Sequence, residues 1–343
     1  MSSGIVQLIA VGAQDEHIIG DPEISFFTST FKRHSNFSQS LEKQTIQGAV
    51  KNNSMSSIRF ERNGDLLGYT YFTLDNNTNS VDIQDWGRVI DKVELLIGGQ
   101  VIDVQDHDFT EKIAIDTYAQ NVTKSSNGTH PGASARSYFY PLRFFFCEGP
   151  QSAIPLVALQ YHTVDLRIYW GPEASNYNVE AYANYYYLDN EERGMMTSRK
   201  HDILITQVQK NIPSGELVQE LTFNHPVKYI ACSNTNSEST LTSIDNKIKM
   251  SINGTDIGAY KFAKPHYVDI MSYYHTNFVT SPDFFLHCFC LNTSSLQPSG
   301  SLNFSRLDSV KIHSETKPLI DPIYGVNYNI LRVNNGMAGL MYA

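Results

Sequence analysis

Positive charge is scarce in this 343-residue chain: 26 Lys and Arg stand against 35 Asp and Glu, a formal net charge of −9. Such a balance argues against direct wrapping of nucleic acid, whose phosphates are neutralised by Lys and Arg. Long apolar runs are also missing. None approaches the roughly 18 to 20 residues of a membrane-spanning helix. The start, Met1 to Gly12, lacks the basic opening of a secretory signal. Only four cysteines occur, Cys147, Cys232, Cys288 and Cys290. They are too few to staple a chain of this size, so buried free thiols in a reducing compartment are expected.

The motifs of common chemistries are absent as well. There is no Gly-rich phosphate loop, no His-Glu-x-x-His, no Cys-x-x-Cys pair and no Gly-x-Ser-x-Gly elbow. Histidines are scattered, and Asp106-His107-Asp108 is the one place where a His stands between two carboxylates. It opens a candidate helix, where acidic residues answer the helix dipole. Asp189, Glu191 and Glu192 read as solvated linker charges. No catalytic residue, metal ligand or cofactor is expected.

Aromatics make up 12% of the chain and charged residues 18%. With abundant Asn, Ser and Thr, that composition favours strands joined by polar turns. Strand-like runs include 57–60, 69–74, 88–97, 138–146 and 164–170, then 203–208, 217–223, 227–231, 247–252, 284–291 and 309–312. Asp106 to Gln120 is the best helical segment, with Phe109, Ile113 and Tyr118 on one face. Residues 1–25 read as an arm: Ile5, Val6, Leu8, Ile9 and Val11 are apolar, but Gly4, Gly12, Gly20 and Pro22 break any long element.

The chain also repeats itself. Pro155-x3-Leu159-Gln160-Tyr161-x2-Val164-Asp165 recurs as Pro298-x3-Leu302-Asn303-Phe304-x2-Leu307-Asp308, and Phe146-Cys147 recurs as Phe289-Cys290. Val93-x-Leu95-x-Ile97-Gly98-Gly99 matches Ile248-x-Met250-x-Ile252-Asn253-Gly254. Both end in a two-residue hairpin signal. The repeat predicts two similar β domains, 26–196 and 197–343, firmly docked across a short charged connector, with Gly99 and Gly254 in equivalent turns.

Eight Asn-x-Ser/Thr triplets occur, of which Asn127 is the best placed for glycosylation in an exposed loop. Lys32-Arg33-His34 is either a solvated turn or a contact to an acidic partner. Trp86, Tyr177 and Tyr182 offer surface aromatics for an alternative, carbohydrate-binding reading. An enzyme of the cupin kind would need clustered ligands that the spacing does not give.

The N-terminal string Gly12-Ala13-Gln14-Asp15, Ile19-Gly20-Asp21-Pro22-Glu23-Ile24-Ser25-Phe26-Phe27 and Phe31-Lys32-Arg33-His34-Ser35-Asn36-Phe37 resembles the opening of the major capsid proteins of nucleocytoplasmic large DNA viruses. Ala158–His162, His225-Pro226-Val227-Lys228, Pro298–Asp308 and Tyr324–Arg332 look like the same family, in the same order. The resemblance implies an all-β fold of two tandem eight-stranded jelly-roll sandwiches with short helices in loops. It further implies a homotrimeric, pseudo-hexagonal capsomer tiling an icosahedral shell of the virion, assembled in the host cytoplasm. Expected partners are neighbouring capsomers, minor capsid proteins and, through the arm, the inner viral membrane. The chain is shorter than most members, so segments 118–138 and 256–284 are expected to be trimmed outer loops. A minor paralogue in a specialised capsomer is the alternative within the family.

Overall fold

The computed structural model describes residues 3–74, 86–118, 139–233, 240–277 and 283–342. They fall into two compact units, Met1–Asn36 and Phe37–Ala343. The first unit carries two short helices, α1 (Ser3–Ile9) and α2 (Glu16–Ile19), neither of which buries a residue. The sequence reading sees no helical period here. One or two turns need none, and the glycines do keep the helices short: the Gly12 N–H donates to Asp15 Oδ2 at 2.8 Å between them. The unit runs to Asn36, beyond the residue 25 that the sequence gives for the end of the arm.

The second unit is built from antiparallel strands. Its first half holds β1 (Phe37–Gln44), β2 (Ile46–Gln47), β3 (Met55–Phe60), β4 (Leu66–Leu74), β5 (Ile90–Ile97), β6 (Gln100–Asp106), β7 (Phe139–Pro141), β8 (Ile154–Pro155), β9 (Val164–Trp170) and β10 (Val179–Leu188). They form one sheet in the order β1-β10-β4-β7, with β8 on β4, and a second in the order β2-β3-β9-β5-β6. β9 shows how the sequence sets the layers: Val164, Leu166, Ile168 and Trp170 are buried while Asp165, Arg167 and Tyr169 are half-exposed. Burying each such side chain contributes about 1.5 to 3 kcal/mol. One core cluster joins the facing sides of both sheets, among them Leu67 and Phe72 with Ile58, Leu95 and Leu166.

The second half repeats the plan with β11 (His201–Asn211), β12 (Val218–Glu220), β13 (Pro226–Ser233), β14 (Lys247–Ile252), β15 (Thr255–Asp256), β16 (Lys261–Phe262), β17 (Phe284–Cys288), β18 (Leu302–Asn303), β19 (Val310–Ser314), β20 (Ile323–Asn334) and β21 (Met337–Leu340). The sheets run β11-β20-β13-β17 and β12-β19-β14-β15. These are the orders of the first half, except that β2 has no counterpart. Each half therefore holds a four-plus-four jelly-roll sandwich with small additions.

Gly99 and Gly254 do sit in equivalent turns. Gly98 and Gly99 have φ of 58° and 83°, Asn253 and Gly254 of 49° and 80°. The Gly98 N–H donates to Thr163 O at 2.9 Å, and the Asn253 N–H to Ser309 O at 2.8 Å. Both turns need a left-handed backbone that costs most residues roughly 1–2 kcal/mol. Asn253 also accepts the N–H groups of Asp308 and Ser309, both at 3.0 Å. Asn253→Ala should therefore lose about 2 kcal/mol in denaturant unfolding, from the backbone penalty and the two lost bonds. Asn253→Gly should lose less, and equal losses would contradict the backbone part of this explanation. A third turn of this type, Asn335-Gly336, joins β20 to β21. The sequence reading overlooked it although the same Asn-Gly signal is present.

The repeat holds, but its register does not. Ile154–Pro155 pairs with Leu67 and Leu66, as Leu302–Asn303 pairs with Val227 and Pro226. Pro155 therefore corresponds to Asn303, and Pro298 lies in the loop before β18. Leu159 corresponds to Leu307, since their N–H groups close matching 3-10 turns on Leu156 O and Phe304 O. A recurrent Pro-x3-Leu spacing inside a loop imitated the true alignment. Phe146-Cys147 lies in a 3-10 turn, whereas Phe289-Cys290 directly follows β17.

Candidate assembly surfaces

The two sandwiches meet across a helix. The segment expected as helical over Asp106–Gln120 is helical from His107 to Tyr118 among the described residues, with a π-helical turn at Phe109–Ile113 and α3 at Ala114–Tyr118. Asp106 opens it: its Oδ1 accepts the Phe109 N–H at 3.0 Å. Its Oδ2 accepts from Lys210 Nζ at 2.6 Å and the Tyr324 hydroxyl at 2.7 Å, both on the second sandwich. The carboxylate assigned to a helix dipole is thus also a tie between domains. Phe109, Ile113, Ala114 and Tyr118 pack on Tyr229, Ala231, Phe284, Leu286, Tyr324 and Val326 of the β11-β20-β13-β17 sheet. The C-terminal strands add a second tie, since Val333 and Ala338 join the first core and the Tyr161 N–H donates to Gly336 O at 2.9 Å. The connector forms α4 (Asn190–Ser198), whose Arg193 holds Asp65 through two bonds of 2.8 and 2.9 Å. Firm docking of the two halves follows from these contacts.

Asp103 lies at the same junction, 4% exposed. It accepts N–H bonds from Val208 at 2.8 Å, Gln105 Nε2 at 2.9 Å and Val104 at 3.0 Å. Burial outweighs these bonds and pushes its carboxyl up to about 7. Folded Asp103 then binds a proton more tightly than the unfolded chain does. Its contribution to stability is full below the unfolded value of 3.8 and is lost as pH rises to about 7. His287 works in the opposite sense: burial pushes it down to about 4, so stability present above its ordinary 6.5 is lost as pH falls toward 4. The difference between wild type and Asp103→Asn isolates the first group. Wild type should gain on the variant between pH 7 and 4, by at most about 1.4 kcal/mol per pH unit. Parallel stability curves would contradict this.

The sequence-predicted site residues do not converge. Ile5, Val6, Leu8 and Ile9 lie in α1, and Val11 just beyond it; they are 48 to 79% exposed. Further exposed apolar residues of this unit are Ile18, Ile24, Phe26, Phe27 and Phe31. Asn127 lies outside the described residues. Trp86 is not a surface aromatic: it is 1% exposed and packs on Tyr140, with ring centroids 5.6 Å apart. Tyr177 is half-buried against the first core. Tyr182 is half-buried and stacks on Tyr71 at 5.7 Å. Among the described residues, no three His, Cys, Asp or Glu side chains gather as a metal site would require. All four cysteines are free, Cys232 and Cys290 fully buried. Segment 256–284, expected as a trimmed loop, holds β16, a π-helical turn at Lys264–Ile270 and α5 (Met271–His275) among its described residues, and 119–138 of the other such segment lies outside the described residues. Tyr267 anchors that helix by stacking on Phe285 at 5.3 Å. Lys228 closes the motif His225-Pro226-Val227-Lys228. It is 3% exposed at a β-bulge and donates to Thr293 O at 2.6 Å and Ser295 O at 3.0 Å.

What the geometry offers is packing surface: a duplicated sandwich, a helical wedge and an apolar arm. Known proteins with this build point the same way. Residues 25–189 match the family profile described as major capsid protein N-terminus, and residues 192–339 match that of the large eukaryotic DNA virus major capsid protein. The chain is 31% identical to the major capsid protein of Pyramimonas orientalis virus and 29% identical to that of Paramecium bursaria Chlorella virus 1, with 100% of each chain covered in both cases. It superposes on a chain of the PBCV-1 virus capsid with a TM-score of 0.76 and 25% identity, covering 93% of this chain and 100% of that one. The Faustovirus major capsid protein shares the fold, with a TM-score of 0.62 and 13% identity over 94% of each chain. The double jelly roll thus belongs to a structural protein of the virion capsid, and the chain is a member of the major capsid protein family of large eukaryotic DNA viruses.

Proposed function

We propose that three copies of this chain form a pseudo-hexagonal capsomer that tiles an icosahedral shell, without catalysis and without direct contact to nucleic acid. The duplication of the four-plus-four sandwich carries this reading. Two like domains in each of three chains turn threefold symmetry into an approximate sixfold outline, which suits hexagonal packing on a facet. The domain division 26–196 and 197–343 and assembly in the host cytoplasm belong to the same proposal. So does an inward-facing arm, with Ile5, Val6, Leu8, Ile9 and Val11 meeting neighbouring capsomers, minor capsid proteins or the inner viral membrane. Glycosylation of Asn127 completes it. Electron microscopy of the purified chain tests it: threefold particles with six lobes are expected, and single two-lobed particles at all concentrations would overturn it.

A further inference from the structure

The wedge that joins the two sandwiches inside one chain exists twice. α3 and α5 have five residues each, and each follows a π-helical turn after the same strand of its sandwich. In that alignment Ile113 corresponds to Ile270 and Thr117 to Tyr274. Ile113 is 1% exposed, pressed on the neighbouring sheet. Ile270, Tyr273 and Tyr274 are 43, 79 and 72% exposed.

The sheet face that receives the wedge is also duplicated. Ala231 pairs with Tyr324 and Leu286, as Tyr71 pairs with Tyr182 and Pro141. Val208 pairs with Val326, as Leu41 pairs with Asn184. In the second sandwich this face lies beneath Phe109 and Ile113. In the first sandwich its counterpart is open around a buried Asn184: Leu41 is 46% and Tyr69 43% exposed, and Tyr71 and Tyr182 are half-exposed. Tyr71 stacks between Tyr69 at 6.5 Å and Tyr182 at 5.7 Å. One chain therefore carries an exposed copy of the wedge and an exposed copy of its seat, both apolar and aromatic.

We infer that the wedge Ile270–Tyr274 of one copy docks on the Leu41, Tyr69, Tyr71 and Tyr182 face of a second copy. The occupant is a second copy of this chain because the seat duplicates a surface already filled by the wedge's own duplicate. The contact is head-to-tail, so it leaves a free wedge and a free seat until a ring closes. Six alternating wedge contacts, three within chains and three between them, complete that ring. The inference rests on the trimeric reading above and names the surfaces that make it.

The test places cysteines at both surfaces, as Tyr71→Cys and Tyr274→Cys in one chain, and joins them with a short bis-maleimide. A denaturing gel should show a covalent species at three times the 38.7 kDa chain mass. Wild type and each single variant should stay at the mass of one chain. Separately, Ile270→Arg should give a monomer by light scattering with an unchanged unfolding transition, because Ile270 supports no core in the single chain. If wild type is a trimer but the double variant does not link and Ile270→Arg stays trimeric, this interface is wrong and the trimer stands. A monomeric wild type would instead overturn the trimeric reading, and this inference with it.

Discussion

Phe109→Ala should lower the stability of the second compact unit by about 3 to 5 kcal/mol, the range for truncating a buried aromatic ring. The ring is fully buried between the sandwiches. It meets Tyr118 edge-on and Tyr324 at a tilt, both at 5.9 Å. Its loss leaves a cavity where the first sandwich grips the sheet of the second. The surrounding strands are fixed by their ladders and can close that cavity only in part. Phe109→Leu should cost under about 1.5 kcal/mol, since most of the volume remains. Denaturant unfolding of both variants checks this, and a loss below 1 kcal/mol for the alanine would mean that the helix does not hold the halves together.

Removing Ser2 to Gly20 should leave the capsomer intact and abolish closed shells. The deleted segment carries seven exposed aliphatic side chains, Ile5, Val6, Leu8, Ile9, Val11, Ile18 and Ile19. Each contributes about 1.5 to 3 kcal/mol if buried against a neighbour. Contacts between capsomers are individually weak and add up through many copies, so losing this much from every copy should stop closure. Sedimentation and electron microscopy of the truncated protein read both outcomes. Loss of the capsomer itself would move the arm from shell assembly to subunit association.

The sequence carried the hairpins at Gly98-Gly99 and Asn253-Gly254 plainly, because a two-residue turn is specified by its own residues. Helix 107–118 was legible for a related reason. Phe109, Ile113 and Tyr118 are spaced by four and then five, which suits a helix that opens with a wide π turn. Lys264–His275 was not legible. Its Pro, Val, Ile and Tyr residues are weak helix formers, and Tyr267 stacked on Phe285 supplies tertiary support that no local pattern announces. Trp86 misled for a similar reason, since it lies in a polar neighbourhood of the sequence but points into the sandwich. Lys228 reads as a surface charge until the bulge turns it toward two carbonyls. The proposed assembly surfaces needed both sources. The sequence marked the arm by composition, whereas the seat at Tyr69, Tyr71 and Tyr182 emerges only once the strand registers of the two sandwiches are compared.

On the trimeric proposal, duplication within the chain serves assembly between chains. Light scattering on the purified wild-type protein tests it most directly. One species at three times 38.7 kDa, stable on dilution, is expected. A species that remains at 38.7 kDa at every concentration would contradict it.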